Sequence, residues 1–396
     1  MFFIISSMEI RFCKLAGDTF YPKMFPFLLF QLKDIFARIN AMNTTYLSEH
    51  PACGPFLTIG IANYNYARYL PYAFRQIRKQ NFSDFEILYC DDGSEDNSIS
   101  IIRGFIASYP DIPIRLIEGK NEGIIANRNR ILESARGKYL MICDADDHML
   151  DGCLEALCHA AIQNRADCVI GGFVESNEAG RILKKHIPEP DACKWLYTWH
   201  HAQIYKVDII RKNQIRFTEQ PDDVLFLQKV HLYSSRTTFV SRPLYVWMRH
   251  ADSVSSDTQK HTDWHPCIIW NTLSDFIGVL RTSVAGKYDK QALLYYLYKW
   301  FYLNICDLSN TENKYSASAI CSMQFQMEKV VPGYRNLTSL LRALRTRDTL
   351  FARAAVLGCW FLETVGLLPV LVWARWVQNT FRKRKKHERV ERIIHM

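Results

Sequence analysis

At 396 residues, 48% hydrophobic and 22% charged, the chain has ordinary globular composition and enough length for two domains, or for one large domain with additions. Its net charge of +9 is uneven: between Arg375 and Arg392 eight Lys or Arg stand against Glu388 and Glu391, and the rest of the chain is close to neutral. That distribution argues against a nucleic-acid-binding domain, which would spread basic residues and aromatics over a folded face, and points to a basic tail beside something apolar.

Residues 1–54 carry aromatic and aliphatic clusters at Phe25–Phe30 and Ile35–Ile39 and end in the turn-rich His50-Pro51-Ala52-Cys53-Gly54. They read as an N-terminal extension without assignable chemistry. Met1–Ser7 is apolar but lacks a basic leader and is broken by Glu9 and Arg11, a poor signal peptide. Twelve cysteines stand singly, without a Cys-x-x-Cys pair or zinc-like His spacing, and read as buried thiols of a reducing, cytoplasmic compartment.

From Pro55 the pattern is regular. Phe56–Ile61 is a first strand ending in Ala62-Asn63-Tyr64-Asn65, and Leu70, Phe74 and Ile77 follow at helical spacing. Phe85–Cys90 is a second strand, running into Asp91-Asp92-Gly93-Ser94-Glu95-Asp96, and Ile102, Phe105, Ile106 and Tyr109 stripe the next helix. Ile114–Glu118 is a third strand, ending in Lys120-Asn121-Glu122-Gly123 before a helix through Arg128-Asn129-Arg130. Lys138–Cys143 is a fourth, stopped by Asp144-Ala145-Asp146-Asp147. Carboxylates this close repel unless donors or a hard divalent ion hold them, and magnesium or manganese shared with substrate phosphates is the usual solution. The plainer alternative is a capping loop, although Asp151 already stands directly before the amphipathic segment Gly152–Asn164.

Four strand and helix alternations predict a parallel sheet with helices on both faces, which binds ligands beyond the carboxyl ends of its strands. Acids after the second and fourth strands and Arg128 between them converge on one crevice edge, an arrangement suited to a nucleotide.

At these residues the chain resembles glycosyltransferase family 2. The likeness rests on an ordered set: Tyr64-Asn65, Asp91-Asp92-Gly93-Ser94-Glu95-Asp96, Gly123 to Arg128-Asn129, and Gly137-Lys138-Tyr139 leading into Asp144-Ala145-Asp146-Asp147. It covers roughly residues 55–256, and Ala62 stands where the family often has Pro. The resemblance implies a GT-A fold, α/β with a mostly parallel central sheet, of the nucleotide-diphospho-sugar transferase type. It implies donor-binding roles for Tyr64, Asn65, Asp91, Asp92, Asp96, Gly123, Arg128, Asn129 and Asp144. Asp92 would contact the base, Asp144 the ribose side, and Asp146, with Asp144 and Asp147, a Mn2+ or Mg2+ ion that bridges the diphosphate.

Asp167–Val174 is a further strand, in which Gly171-Gly172 leaves room for a ligand or another backbone. Trp195, Trp199, His200 and His201 offer either an acceptor-side stacking wall or core. Asp222 and Asp223 open the helical Val224–Val230, and either favour a helix N-terminus or, as the resemblance implies, supply the general base, Asp223 with Asp222 as neighbour and Glu219 as the next candidate. Arg249-His250 resembles the family's closing segment over the diphosphate or metal.

The expected division is an extension at 1–54, a donor half at 55–160, an acceptor half at 161–256, and a helical C-terminal region at 257–396. In the last, Cys267–Leu280, Gln291–Leu303 and Ala317–Val331 lack strand alternation. Ala354–Ala374, with Glu363 its one charge, is long enough to span a bilayer. Both of its flanks are basic, so a segment lying on the cytoplasmic face of the membrane is expected ahead of a span, and a docking helix in an oligomer is the third alternative.

The chain is therefore expected to be a membrane-associated, metal-assisted, inverting glycosyltransferase. It would move a sugar from a nucleoside diphosphate, UDP foremost, to a glycan or lipid-linked acceptor in cell-surface polysaccharide synthesis. The rivals are a non-catalytic sugar- or nucleotide-binding module of the same fold, an Asp-based phosphatase, and a sugar nucleotidyltransferase, whose Gly-rich loop Asn63-Tyr64-Asn65 is not.

Overall fold

The computed structural model describes residues 54–189, 194–218, 222–250 and, with gaps, 294–371. The extension at 1–53, Glu219, Cys267–Leu280 and the basic run 375–392 lie outside the described residues.

One sheet of nine strands organises the body, in the order β3-β2-β1-β4-β8-β6-β9-β5, with β7 paired to β6. Its first half is parallel: β1 (Leu57–Asn63), β2 (Phe85–Asp91), β3 (Ile114–Glu118) and β4 (Tyr139–Asp144). Every residue of β1 and β2 is buried, which is why these strands read as continuous apolar runs rather than alternations. The connecting helices are α1 (Leu70–Arg78), which has proline in its first turn, α2 (Ser98–Ser108) and α3 (Ile124–Ser134).

Register brings the polar strand ends together. Asn63 pairs with Asp91, and Ala62 stands between Cys90 and Asp144, so the acids after β2 and β4 share the carboxyl edge of β1.

The second half is mixed. After β5 (His148–Met149) and α4 (Cys153–Gln163), β6 (Cys168–Asn177) forms a hairpin with β7 (Ile182–His186). β8 (Gln203–Lys206) runs antiparallel to both β4 and β6 and leads into α5 (Val207–Lys212). Next come α6 (Asp222–Tyr233) and β9 (Thr237–Arg249), which is parallel to β6 and antiparallel to β5. The sheet is thus wholly parallel in its first half and mixed in its second, where β6 and β9 are again parallel, in keeping with the expected mostly parallel sheet.

Gly152, at φ +72°, takes the residue position before α4, and no side chain caps that helix, so Asp151 is not its cap. The gap left by Gly171-Gly172 is filled by backbone: a Cβ on Gly172 would lie 2.7 Å from the Arg242 carbonyl oxygen, at the bulge where β9 accommodates Pro243. Asp167 ties this region to β8. It accepts from Lys206 Nζ at 2.6 Å and from the Ser235 and Arg236 amides at 3.0 Å. Five described cysteines (90, 143, 153, 158 and 168) are buried thiols as expected, whereas Cys321 is exposed and Cys359 half-buried.

The C-terminal region is helical where described, with α7 (Leu337–Ala343) and α8 (Leu350–Thr364). Tyr295, Tyr298, Phe301, Tyr302, Met327, Tyr334 and Leu340 form a core with Trp195 and Leu232. Trp195 therefore belongs to this core and not to an acceptor wall. Among the described residues no helix is long and apolar enough to cross a membrane. Ala354–Ala374 is interrupted: α8 stops at Thr364, and Gly366, at φ +74°, terminates it with the Leu367 amide returning to the Leu362 carbonyl at 2.7 Å.

Candidate active site

The loop after β2 is built on Asp91 and Asn65. Asp91 accepts from Asn63 Nδ2 at 2.6 Å and from the Ser94 amide and hydroxyl at 2.8 and 2.6 Å. Asn65, at φ +59°, accepts from the Glu95 amide at 2.8 Å, and Asp96 accepts from the Ala67 amide at 2.9 Å. Asp92 is buried, and accepts from the Glu122 and Gly123 amides at 3.1 and 2.8 Å and from Arg130 at 3.2 Å. Asp91 and Asp92 thus hold this edge from within, while Asp96 and Tyr64 are exposed.

Helix α3 delivers Arg128. Asn127 holds the helix to β2 by donating to the Cys90 carbonyl at 2.9 Å. Asn129 exchanges two hydrogen bonds with the Phe217 backbone, at 2.8 and 3.0 Å, and Phe217 stacks on Phe226 of α6 at 4.1 Å. Asn129 therefore holds the segment that leads into α6 against α3.

The result is a closed ring of four charged side chains. Arg128 donates to Asp144 Oδ1 at 2.9 Å and to Asp223 Oδ1 at 2.6 Å. His200 donates from Nδ1 to Asp223 Oδ2 at 2.9 Å, and its Nε2 meets Asp144 Oδ2 at 3.3 Å, outside hydrogen-bond geometry. Burial raises the Asp223 carboxyl, but the Arg128 guanidinium and then His200 outweigh it and bring it down to about 2. Asp144 is held well below the usual carboxylate range in the same way, burial being outweighed by Arg128 and His200. Burial alone would lower His200, yet Asp223 and Asp144 push it up to about 10.

Beside the ring the balance reverses. Burial, then Asp147 and Asp144, push Asp146 up to about 7, and burial with Asp144 raises Asp147 well above its ordinary value. Burial and the neighbouring His200 lower His201 to about 3. Asp147 accepts from the Met248 amide at 2.7 Å, while its other oxygen lies 3.4 Å from His201 Nε2 without hydrogen-bonding it. His250 Nε2 lies 2.7 Å from Asp146 Oδ2, placed there by the pairing of β5 with β9. The Tyr69 ring lies 4.8 Å from His250, tilted by 34°, and Arg249 lies 4.5 Å over the Trp247 ring.

Asp144, His200 and His201 offer ligand atoms within 4.8 Å of one another. This differs from the expected set of Asp144, Asp146 and Asp147, and it moves His200 and His201 from the acceptor side to the acids. Trp199 remains apart from them, packed on Phe173 and His186. The set fits a divalent cation: Asp144 is held ionised, three ring nitrogens of His200 and His201 are buried without a hydrogen-bond partner, and the His200 Nδ1–H is already held by a carboxylate, as in many metal-bound histidines. Sequence reasoning singled out both histidines but put them on the acceptor side, because their acidic partners are reached only through the pairing of β8 with β4.

A curled sheet with a charged carboxyl edge, continued by a second mixed half, defines a GT-A-type transferase fold. Residues 58–231 match the family model described as glycosyl transferase family 2. The chain is 25% identical over 219 residues to the glycosyltransferase GlyG of Streptococcus pneumoniae, covering 50% of this chain and 72% of that one. It is 23% identical over 261 residues to a Campylobacter jejuni GalNAc(5)-diNAcBac-PP-undecaprenol beta-1,3-glucosyltransferase, covering 63% and 84%. Several further curated relatives are matched over less than two thirds of their own length. The crystal structure of S. aureus TarS 1–349 in complex with UDP has the same fold, with a TM-score of 0.53 at 17% identity over 82% of this chain and 88% of that one.

Residues 58–231 carry a glycosyl transferase family 2 domain, and the chain is a transferase by class. The phosphatase and nucleotidyltransferase alternatives fall with that assignment.

Proposed function

We propose that this protein transfers a sugar, with inversion, from a UDP-sugar to a glycan or lipid-linked acceptor at the cytoplasmic face of a membrane, in cell-surface polysaccharide synthesis. The observation that carries the reading is the meeting of Asp144 and Asp223 around shared cations at the carboxyl edge of the sheet. The UDP in the TarS complex and the undecaprenol-diphosphate glycan in the Campylobacter relative's name support the donor and acceptor classes.

In this reading residues 55–160 hold the donor and 161–256 the acceptor. Tyr64, Asn65 and Asp92 line the base side. Asp223 takes the acceptor hydroxyl's proton, with Asp222 as its neighbour at the start of α6. A carboxyl at about 2 is ionised at neutral pH but weakly basic, so the donor diphosphate has a second task. By drawing Arg128 to itself it removes the stronger of the two cations from Asp223 and raises its basicity as the acceptor arrives. Asp144, His200 and His201, with Asp146 and His250 adjacent, would hold the metal ion. A mixed oxygen and imidazole set suits Mn2+ better than Mg2+, which prefers oxygen alone. When bound, the ion supplies positive charge to the departing nucleoside diphosphate.

The test is the thermal midpoint of the purified protein with a panel of nucleoside diphosphates, each with and without manganese, since a ligand selective for the native state raises it. A shift with UDP that requires manganese is expected. Folded protein that responds to no nucleotide would overturn the donor site and favour a non-catalytic module.

A further inference from the structure

Helix α8 is anchored from one side, and its one acidic residue is on that side. Val356 and Glu363 are buried, with Ala352, Cys359 and Trp360 partly buried beside them. The opposite stripe, Leu350, Phe351, Ala354, Leu357, Gly358 and Phe361, is exposed and apolar, and Thr364 at the helix end is its one polar member. Leu350 is 79% exposed, Phe351 85% and Phe361 57%. A surface helix ordinarily turns its apolar stripe to the core and its polar face to water. Here the order is reversed.

Glu363 sets this rotation. It accepts from Tyr302 Oη at 2.7 Å, from Gln324 at 3.0 Å and from the Tyr334 hydroxyl, all within the aromatic core of the C-terminal region. A carboxylate so held fixes which side of α8 faces inward and leaves the apolar stripe outside. The stop at Gly366 continues the stripe, because Val365, Leu367 and Val370 in the following turn are each about half exposed. Single exposed apolar side chains need no partner, whereas a contiguous face of this kind marks an interaction site.

Charge selects the partner. The run that begins at Arg375, shortly after the last described residue, carries eight basic residues against two acidic ones to Arg392. A second copy of the chain would bring the same positive run to the interface and be repelled. A bilayer with acidic headgroups offers both the apolar layer and the negative charge. With 15 residues, α8 is about 22 Å long, too short to cross a hydrocarbon core of about 30 Å, but suited to lie within the interface.

We propose that the exposed face of α8 and the turn at 365–370 insert in plane into a bilayer surface, an anionic one being favoured by the basic sequence at 375–392. The proposal deepens the membrane-surface reading above and rests on it.

The experiment is flotation of the full-length protein with vesicles of phosphatidylcholine containing phosphatidylglycerol, and with phosphatidylcholine alone. Binding to the mixed vesicles is expected, weaker by at least about tenfold without the acidic lipid and by at least about tenfold for the Phe351→Ser/Phe361→Ser double variant. Both positions are exposed, so the variant should keep the wild-type thermal midpoint. Replacing the five basic residues at 382–386 by Gln should remove the preference for acidic lipid. Failure of the folded wild type to float, or equal flotation of the double variant, overturns the proposal. A wild-type dimer in sedimentation that the double variant abolishes, without vesicle binding, assigns the face to a second copy and also overturns it. The nucleotide thermal shift on the same samples separates the two readings: a shift without flotation removes this face alone, and flotation without a shift removes the transferase reading alone.

Discussion

Asp144 and Asp223, one at the end of a strand and the other at the start of a helix, share both of their counter-cations. Arg128 bridges their Oδ1 atoms and His200 their Oδ2 atoms, so each carboxylate is held by the same two groups. Any ligand that takes Arg128 or His200 from one acid also takes it from the other. In the proposed reading, a donor that binds Arg128 would thereby change the state of the proposed base without a moving loop.

Arg128→Lys tests that link. A lysine ammonium lacks the planar fork that spans two carboxylates, so the substitution should cost about 1–2 kcal/mol of stability and raise the donor KM by at least about tenfold. Unchanged steady-state kinetics in a folded variant would show that Arg128 serves the structure only.

Asp223→Asn keeps the shape and removes the proton acceptor. Turnover should fall by about 10²- to 10⁴-fold while the thermal shift with UDP and manganese is retained. Near-normal turnover would move the base elsewhere, with Glu219 next.

Asp167 sets an acid limit on stability. Burial opposes its ionisation, but the Lys206 hydrogen bond and the Arg236 amide lower it below its ordinary value. A carboxyl depressed in the folded state contributes stability that is fully present above its unfolded value, near 4, and is lost as pH falls through the folded value. Asp167→Asn should therefore cost roughly 2 kcal/mol at neutral pH and flatten the decline in unfolding midpoint below about pH 4. An unchanged acid limb in urea titrations would assign that limb to other groups.

Glu363→Leu should destabilise the C-terminal region by about 3 kcal/mol, because the Tyr302 and Tyr334 hydroxyls lose a buried acceptor, whereas Glu363→Gln should cost about 1 kcal/mol. Equal midpoints for the two variants would show that the buried carboxyl does not orient α8.

The first, parallel half of the sheet was legible in the chain because parallel strands buried on both faces leave uninterrupted apolar runs. The polar clusters at their ends, from Asn63 to Asp147, were visible as breaks in those runs. β9 was not legible: from Thr237 to Arg249 it mixes exposed and buried positions, carries Pro243 at a bulge, and depends on β6 for its pairing. Trp195 and His200, five residues apart, look equivalent in an aromatic run, yet one enters the C-terminal core and the other bridges two acids. Glu363 likewise looked like a flaw in a spanning segment and is instead the group that seats α8.

By itself the sequence determined the order of the strands up to β4, the family likeness and the acids at the strand ends, since each of these is written in periodicity or in short contiguous motifs. Only the tertiary structure decided which cations those acids share, which histidines join them and which side of α8 faces outward. Those contacts join residues far apart in the chain, and they follow from strand register and core packing, which no local pattern of side chains records.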